Sequence, residues 1–189
     1  MSLDRREAVK RLLADRGEML VVSGLGSPTY DVAAAGEDDR NFYLWGAMGS
    51  AAPIGLGLAL AQPSRRVLVV TGDGEMLMGM GALATVAAQC PANLAIAVID
   101  NERYGETGGQ LSHGAFGVGL AGVARAAGIA RAETIVDLAG VEAFRARLHT
   151  AGGPLFALLK VAPDNAAMVL PPRDGVFLKH RFRTAFLAL

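Results

Sequence analysis

The sequence predicts an α/β fold: a doubly wound, mostly parallel sheet of about six strands with helices on both faces. Three observations point there. Residues 67–71 and 94–99 are short apolar runs rich in β-branched side chains, as in strands buried on both faces. Such runs alternate with helix-length segments along the chain, which is the pattern of repeated strand–helix units. The composition is 52% hydrophobic but only 6% aromatic, with 24 glycines, and suits close helix–sheet layers. At 189 residues the chain can bury one full core, so residues 1–189 read as a single domain.

In order, residues 4–16 read as a helix with Ala8, Leu12 and Leu13 on its apolar face. Residues 19–22 form a strand that ends at Ser23-Gly24-Leu25-Gly26-Ser27. A helix follows from Pro28, since proline suits a first helical turn. Residues 42–44 are a short strand. Residues 49–61 are a helix packed through Gly55, Gly57 and Ala59, and that face, with Met48, offers apolar surface to a partner. Strand 67–71 leads through a crossover helix over residues 78–89 to strand 94–99. A Gly-rich loop spans 104–117, then a helix 118–128, a strand 132–136, a helix 138–150 and a strand 154–161. Beyond Pro163 come a loop and a basic helix over 179–187.

Lys plus Arg equals Asp plus Glu at 18 each, which gives no nucleic-acid surface. The single Cys90 excludes an intramolecular disulfide and reads as a small buried hydrophobe near a helix end. The weakly polar stretch 47–61 is too short to span a bilayer, and the charged N-terminal helix is no signal region. A cytoplasmic protein with no membrane contact is expected.

The chemistry concentrates at Gly72-Asp73-Gly74 and Asp100-Asn101, at the ends of consecutive strands. A right-handed crossover brings both ends to one sheet edge. Asp73 and Asn101 then converge on one hard cation, and Mg2+ suits such oxygens together with phosphate. The flanking glycines let backbone N–H groups approach that phosphate. Gly24-Leu25-Gly26 invites a nicotinamide-cofactor reading, but Thr29 stands where the third glycine belongs.

The spacing of Gly72-Asp73-Gly74 to Asn101 resembles the signature of thiamine-diphosphate enzymes, with Asp100 in place of that signature's first Asn. The resemblance implies thiamine diphosphate and Mg2+ as cofactors. It implies Asp73, Asn101 and the Arg103 carbonyl as metal ligands. Gly72, Gly74 and a turn formed by Gly24, Gly26 and Ser27 would close on the diphosphate. Trp45-Gly46-Ala47-Met48-Gly49, running on to Pro53, is similar to the stretch that props the bent cofactor in thiamine-diphosphate decarboxylases. By that match Met48 is the catalytic wedge beneath the two rings, and the Gly46 carbonyl accepts from the pyrimidine amino group.

Tyr104-Gly105-Glu106-Thr107-Gly108-Gly109-Gln110 is similar to the cofactor-binding subunits of sulfopyruvate and phosphonopyruvate decarboxylases. It is also similar to β subunits of 2-oxoacid:ferredoxin oxidoreductases, which need iron–sulfur ligands that one cysteine cannot supply. Tyr104, Gly105 and Thr107 join the cofactor set on this ground. Glu75 departs from the small hydroxyl residue expected after the motif. A carboxylate there must point away from the diphosphate, as a helix N-terminal charge or towards a partner chain. His113 is a candidate proton donor. Arg173, Lys179, His180, Arg181 and Arg183 are candidates for capturing an anionic substrate or an acidic partner.

The resemblance implies decarboxylation of an anionic 2-oxo acid, such as sulfopyruvate or phosphonopyruvate, to an aldehyde and CO2. The remaining alternatives are the oxidoreductase β subunit and a noncatalytic thiamine-diphosphate-binding module. The family's catalytic Glu belongs to a pyrimidine-binding domain. A separate α subunit is therefore expected to supply it, in a hetero-oligomer with at least two copies of each chain.

Overall fold

The computed structural model describes residues 3–150, 152–163 and 166–187. Eight helices and eight strands are formed there. They run α1 (Arg5–Leu12), β1 (Leu20–Ser23), α2 (Ser27–Ala35), β2 (Asn41–Tyr43), α3 (Ala51–Ala61), β3 (Val67–Gly72), α4 (Asp73–Met78) and α5 (Ala82–Gln89). β4 (Leu94–Asp100), β5 (Arg103–Tyr104), β6 (Gln110–Leu111), α6 (Leu120–Ala126), β7 (Arg131–Ile135), α7 (Leu138–Thr150), β8 (Leu155–Lys160) and α8 (Gly175–Leu187) follow.

Six strands make one sheet in the order β2-β1-β3-β4-β8-β7. Every pairing in it is parallel. Alternation along the strands sorts the core into two layers. Val21, Leu68, Val70, Ala95 and Ala97 face Val9, Leu12, Val32, Val141 and Phe144 of α1, α2 and α7. Leu20, Val22, Val67, Val69, Ile96 and Val98 face Leu56, Leu83, Val86 and Leu120 of α3, α5 and α6. Each fully buried side chain of this size contributes about 1.5–3 kcal/mol. The sheet is therefore doubly wound, and its strands read as unbroken apolar runs because both faces are covered.

Strand order reverses between β1 and β3: β2 lies to one side of β1, and β3 and β4 lie to the other. In open α/β sheets the crevice outside the strand ends at such a point is the binding site. Val70 pairs with Ser23 and Gly72 with Ile99, so the ends of β1, β3 and β4 sit side by side.

Four expectations change. The crossover between β3 and β4 is two helices, not one over 78–89. It starts at Asp73 itself and breaks after Met78. Gly79 lies against the Gly49 turn so closely that an added Cβ would come within 2.2 Å of the Gly49 carbonyl oxygen. The face of α3 carrying Gly55 and Ala59 is not a partner surface. Ala59 is buried, and a Cβ on Gly55 would stand 2.2 Å from Val69 Cγ2 of β3; only Gly57 faces out. Cys90 is exposed, in a left-handed position (φ 45°) that ends α5. The 104–117 loop contains the β5–β6 ribbon, paired antiparallel. Among the described residues no helix is long and apolar enough to cross a membrane.

Candidate active site

A cleft opens at the reversal point of the sheet, and the turn after β1 forms one wall. The Thr29 hydroxyl donates to the Gly24 carbonyl at 2.7 Å and lies 2.6 Å from the Ser23 hydroxyl. This pins the turn and directs α2 away from it. Gly26 at the start of α2 has φ 76°, and no side chain caps that helix. The uncapped N–H groups of its first turn, at Ser27, are suited to an anion.

The opposite wall begins at the end of β3. Asp73 is 2% exposed, and the Ser112 hydroxyl donates to its carboxylate. Burial pushes the Asp73 carboxyl up to about 6; the Ser112 bond opposes this and the charge of Asp100 adds to it. Gly74 lets the Tyr104 ring lie over the start of α4, where a Cβ would come within 2.5 Å of the ring. The Tyr104 hydroxyl is 3.1 Å from His113 Nδ1, with the two rings edge-on.

At the end of β4 the two candidate positions diverge. Asp100 is buried and ion-paired to Lys160 Nζ at 2.8 Å, and Glu102 joins the same ammonium. Burial alone would lower the lysine pKa, but the bonds to Asp100 and Glu102 outweigh it and raise it. The acid that replaces the signature's first Asn is thus neutralised within the chain. Asn101 stays half-buried, with its Oδ1 accepting from the Arg103 N–H at 3.0 Å.

The structure brings most of the proposed residues together. Ser27, Met48, Gly72, Asp73, Gly74 and Glu75 line the cleft. So do Asn101, Arg103, Tyr104, Gly105 and Thr107. Gly24 and Gly26 lie beneath it as spacers. A Cβ on Gly24 would meet Glu75 Oε2 at 1.7 Å, and one on Gly26 would meet Glu106 Oε1 at 2.5 Å. Gly46 faces a separate hollow shared with Trp45 and Arg173. His113 lines an outer hollow beside Met48, Met78, Met80 and Val118. Met48, Gly74, Tyr104 and Thr107 line both cavities.

Glu75 is turned towards its own chain, not a partner. Its Oε2 accepts from the Leu25 N–H at 3.0 Å and from the Thr71 hydroxyl at 2.9 Å. Burial raises its pKa despite those bonds. The basic C-terminal cluster is partly engaged as well. Arg181 pairs with Glu37 at 2.5 Å, and Arg173 stacks over Trp45. The sequence reading did not single out Ser112 and Lys160, which bond Asp73 and Asp100, or Glu106 and Arg5, which line the cleft. For Lys160 a signal existed, because a strand-end aspartate in place of an amide demands a cation.

Two helix starts without a side-chain cap bond, at Ser27 and Asp73, meet a buried carboxylate and a glycine-rich loop at the reversal of an α/β sheet, an arrangement suited to a phosphate group. Residues 29–161 match the family described as thiamine pyrophosphate enzyme, C-terminal TPP binding domain, and the chain belongs to that family. It is 38% identical over 182 residues to sulfopyruvate decarboxylase subunit beta of Methanothermobacter thermautotrophicus, covering 96% of this chain and 95% of that one. It is 39% identical to the phosphonopyruvate decarboxylase of Streptomyces viridochromogenes, covering 85% of this chain but 40% of that longer one. The fold is shared with the thiamine diphosphate-dependent 4-hydroxybenzoylformate decarboxylase of Rhodococcus jostii RHA1. That match has a TM-score of 0.73 at 19% identity and covers 87% of this chain and 34% of that one.

Proposed function

We propose that this chain is the cofactor-binding subunit of a two-subunit thiamine-diphosphate-dependent decarboxylase. Its substrate is an anionic 2-oxo acid of the sulfopyruvate or phosphonopyruvate type, and its products are an aldehyde and CO2. The observation that carries this reading is the meeting of Ser27, Asp73, Asn101 and Met48 on one cleft. Near end-to-end similarity to a protein named as a sulfopyruvate decarboxylase β subunit supports it.

The residues fit the cofactor. The N–H groups at the start of α2 would hold the diphosphate, and Gly72 and Gly74 would leave room for it at the start of α4. Asp73, Asn101 and the Arg103 carbonyl form an oxygen donor set suited to Mg2+. The buried Asp73 carboxylate is costly without a cation beside it, which favours that assignment. When bound, thiamine diphosphate supplies the carbanion that adds to the 2-oxo acid and the electron sink for the departing CO2. Met48 would support the ring system at the mouth of the cleft, and Tyr104, bonded to His113 Nδ1, would hold that imidazole for proton delivery from Nε2.

The outer hollow is open, so a pyrimidine-binding α subunit supplies its missing wall and the catalytic Glu, in an assembly with at least two copies of each chain. The test is to co-express the chain with a candidate pyrimidine-binding α subunit from the same organism and assay CO2 and aldehyde from sulfopyruvate, phosphonopyruvate and pyruvate. Turnover of an anionic substrate well above that of pyruvate is expected. A complex that binds the cofactor yet releases no CO2 from any of the three would overturn the reading.

A further inference from the structure

The first turn of α1 places an arginine in the cleft. Arg5 is 6% exposed and lines the same cavity as Ser27, Asp73 and Asn101. Its Nε approaches Asp31 Oδ2 at 2.5 Å, but without hydrogen-bond alignment, and its Nη1 has no hydrogen-bond partner. Asp31 lies on α2, is fully buried and also pairs with Arg6 at 3.3 Å. A buried guanidinium with an unused donor is costly unless something completes it.

The charges around the cavity show what completes it. Asp73, Glu75 and Glu106 line it alongside two cations, Arg5 and Arg103. Arg103 is exposed and its Nη1 donates to the Gly109 carbonyl at 3.1 Å. Arg5 is therefore the buried cation available to an anion in this cleft. The cleft and the outer hollow share Met48, Gly74, Tyr104 and Thr107, whereas Arg5, like Ser27, Asp73 and Asn101, lines the cleft alone. Arg5 thus lies with the candidate anchor residues, on the part of the cleft away from the outer hollow.

We propose that Arg5, held by Asp31, donates to the terminal phosphate of thiamine diphosphate and makes the chain select the diphosphate over the monophosphate. The proposal rests on the reading of this cleft as a thiamine-diphosphate site. Guanidinium–phosphate bonds are charge-assisted and contribute more than neutral ones. Lysine cannot reproduce the guanidinium fork.

The experiment is calorimetric titration of the full chain with thiamine diphosphate and with thiamine monophosphate, each with Mg2+, for the wild type and for Arg5→Gln and Arg5→Lys. Melting of the ligand-free proteins is recorded in parallel. The wild type is expected to prefer the diphosphate. Arg5→Gln should weaken diphosphate binding about ten- to a hundredfold and leave monophosphate binding within about twofold. Arg5→Lys, which keeps a charge facing Asp31, should fold like the wild type and show an intermediate loss. It carries the test if Arg5→Gln melts early. A wild type that binds neither ligand, or both alike, overturns the cleft reading and the role of Arg5 with it. A wild-type preference that survives in the folded variant overturns the role of Arg5 alone.

Discussion

The two ends of the cleft are built differently. At the closed end Asp73 and Arg5 line the cleft, and Ser112, Asp31 and Thr29 lie behind the lining as buried polar groups. At the mouth the walls include apolar side chains in the open, with Met78 68% exposed and Met80 and Val118 each 39% exposed. Polar groups are buried only where partners or ligands satisfy them, and contiguous exposed apolar surface marks a contact face. The chain thus completes an anchor for a charged group and leaves the reacting end for another surface to close.

The largest effect that sharpens this contrast is expected at the anchor. Asp73→Ala should weaken Mg2+-dependent binding of thiamine diphosphate by more than about a hundredfold, because it removes the charged metal ligand. The melting temperature of the ligand-free chain should change little, because removing a carboxylate that burial disfavours offsets the loss of its bond from buried Ser112. Calorimetry and thermal melting on the same preparation check both halves. At the mouth, Met48→Ala should reverse the pattern. Turnover of the assembled enzyme should drop about a hundredfold, while cofactor affinity stays within about twofold. Steady-state kinetics and titration of that variant decide the matter.

A smaller effect is expected beneath the anchor. Gly24→Ala forces Glu75 from its place and should cost about 1–3 kcal/mol of stability, measured by urea unfolding. The smallest effect on the isolated chain belongs to Met78→Ser. Its unfolding free energy should stay within about 0.5 kcal/mol of wild type, while pull-down of the α subunit is reduced. A large loss of stability in Met78→Ser would place this residue in the chain's own core and erase the contrast.

The sequence made the closed end largely legible, because register and crossover geometry follow from the strands. Two apolar runs and the residues at their ends suffice to put Asp73 and Asn101 in one cleft. Ser112 and Arg5 were hidden for a physical reason. Ser112 adjoins His113 in the 104–117 loop, but only the folded loop shows its hydroxyl turned to Asp73, and Arg5 reads as one charge among several on α1 until its burial is known. The α4–α5 break was hidden in the same way, since it depends on the contact of Gly79 with Gly49. The faces of α3 were misassigned because apolar and small residues surround that helix. Only the packing of Gly55 on Val69 tells which side is inward.

On the reading proposed above, this chain anchors the cofactor and depends on the α subunit for turnover. The most direct measurement is CO2 release from sulfopyruvate and phosphonopyruvate by the purified chain with thiamine diphosphate and Mg2+, before and after adding the α subunit. The chain alone is expected to bind the cofactor and release no CO2 above background, with turnover appearing on mixing. Robust metal-dependent turnover by a preparation shown by mass spectrometry to contain this polypeptide alone would contradict the account.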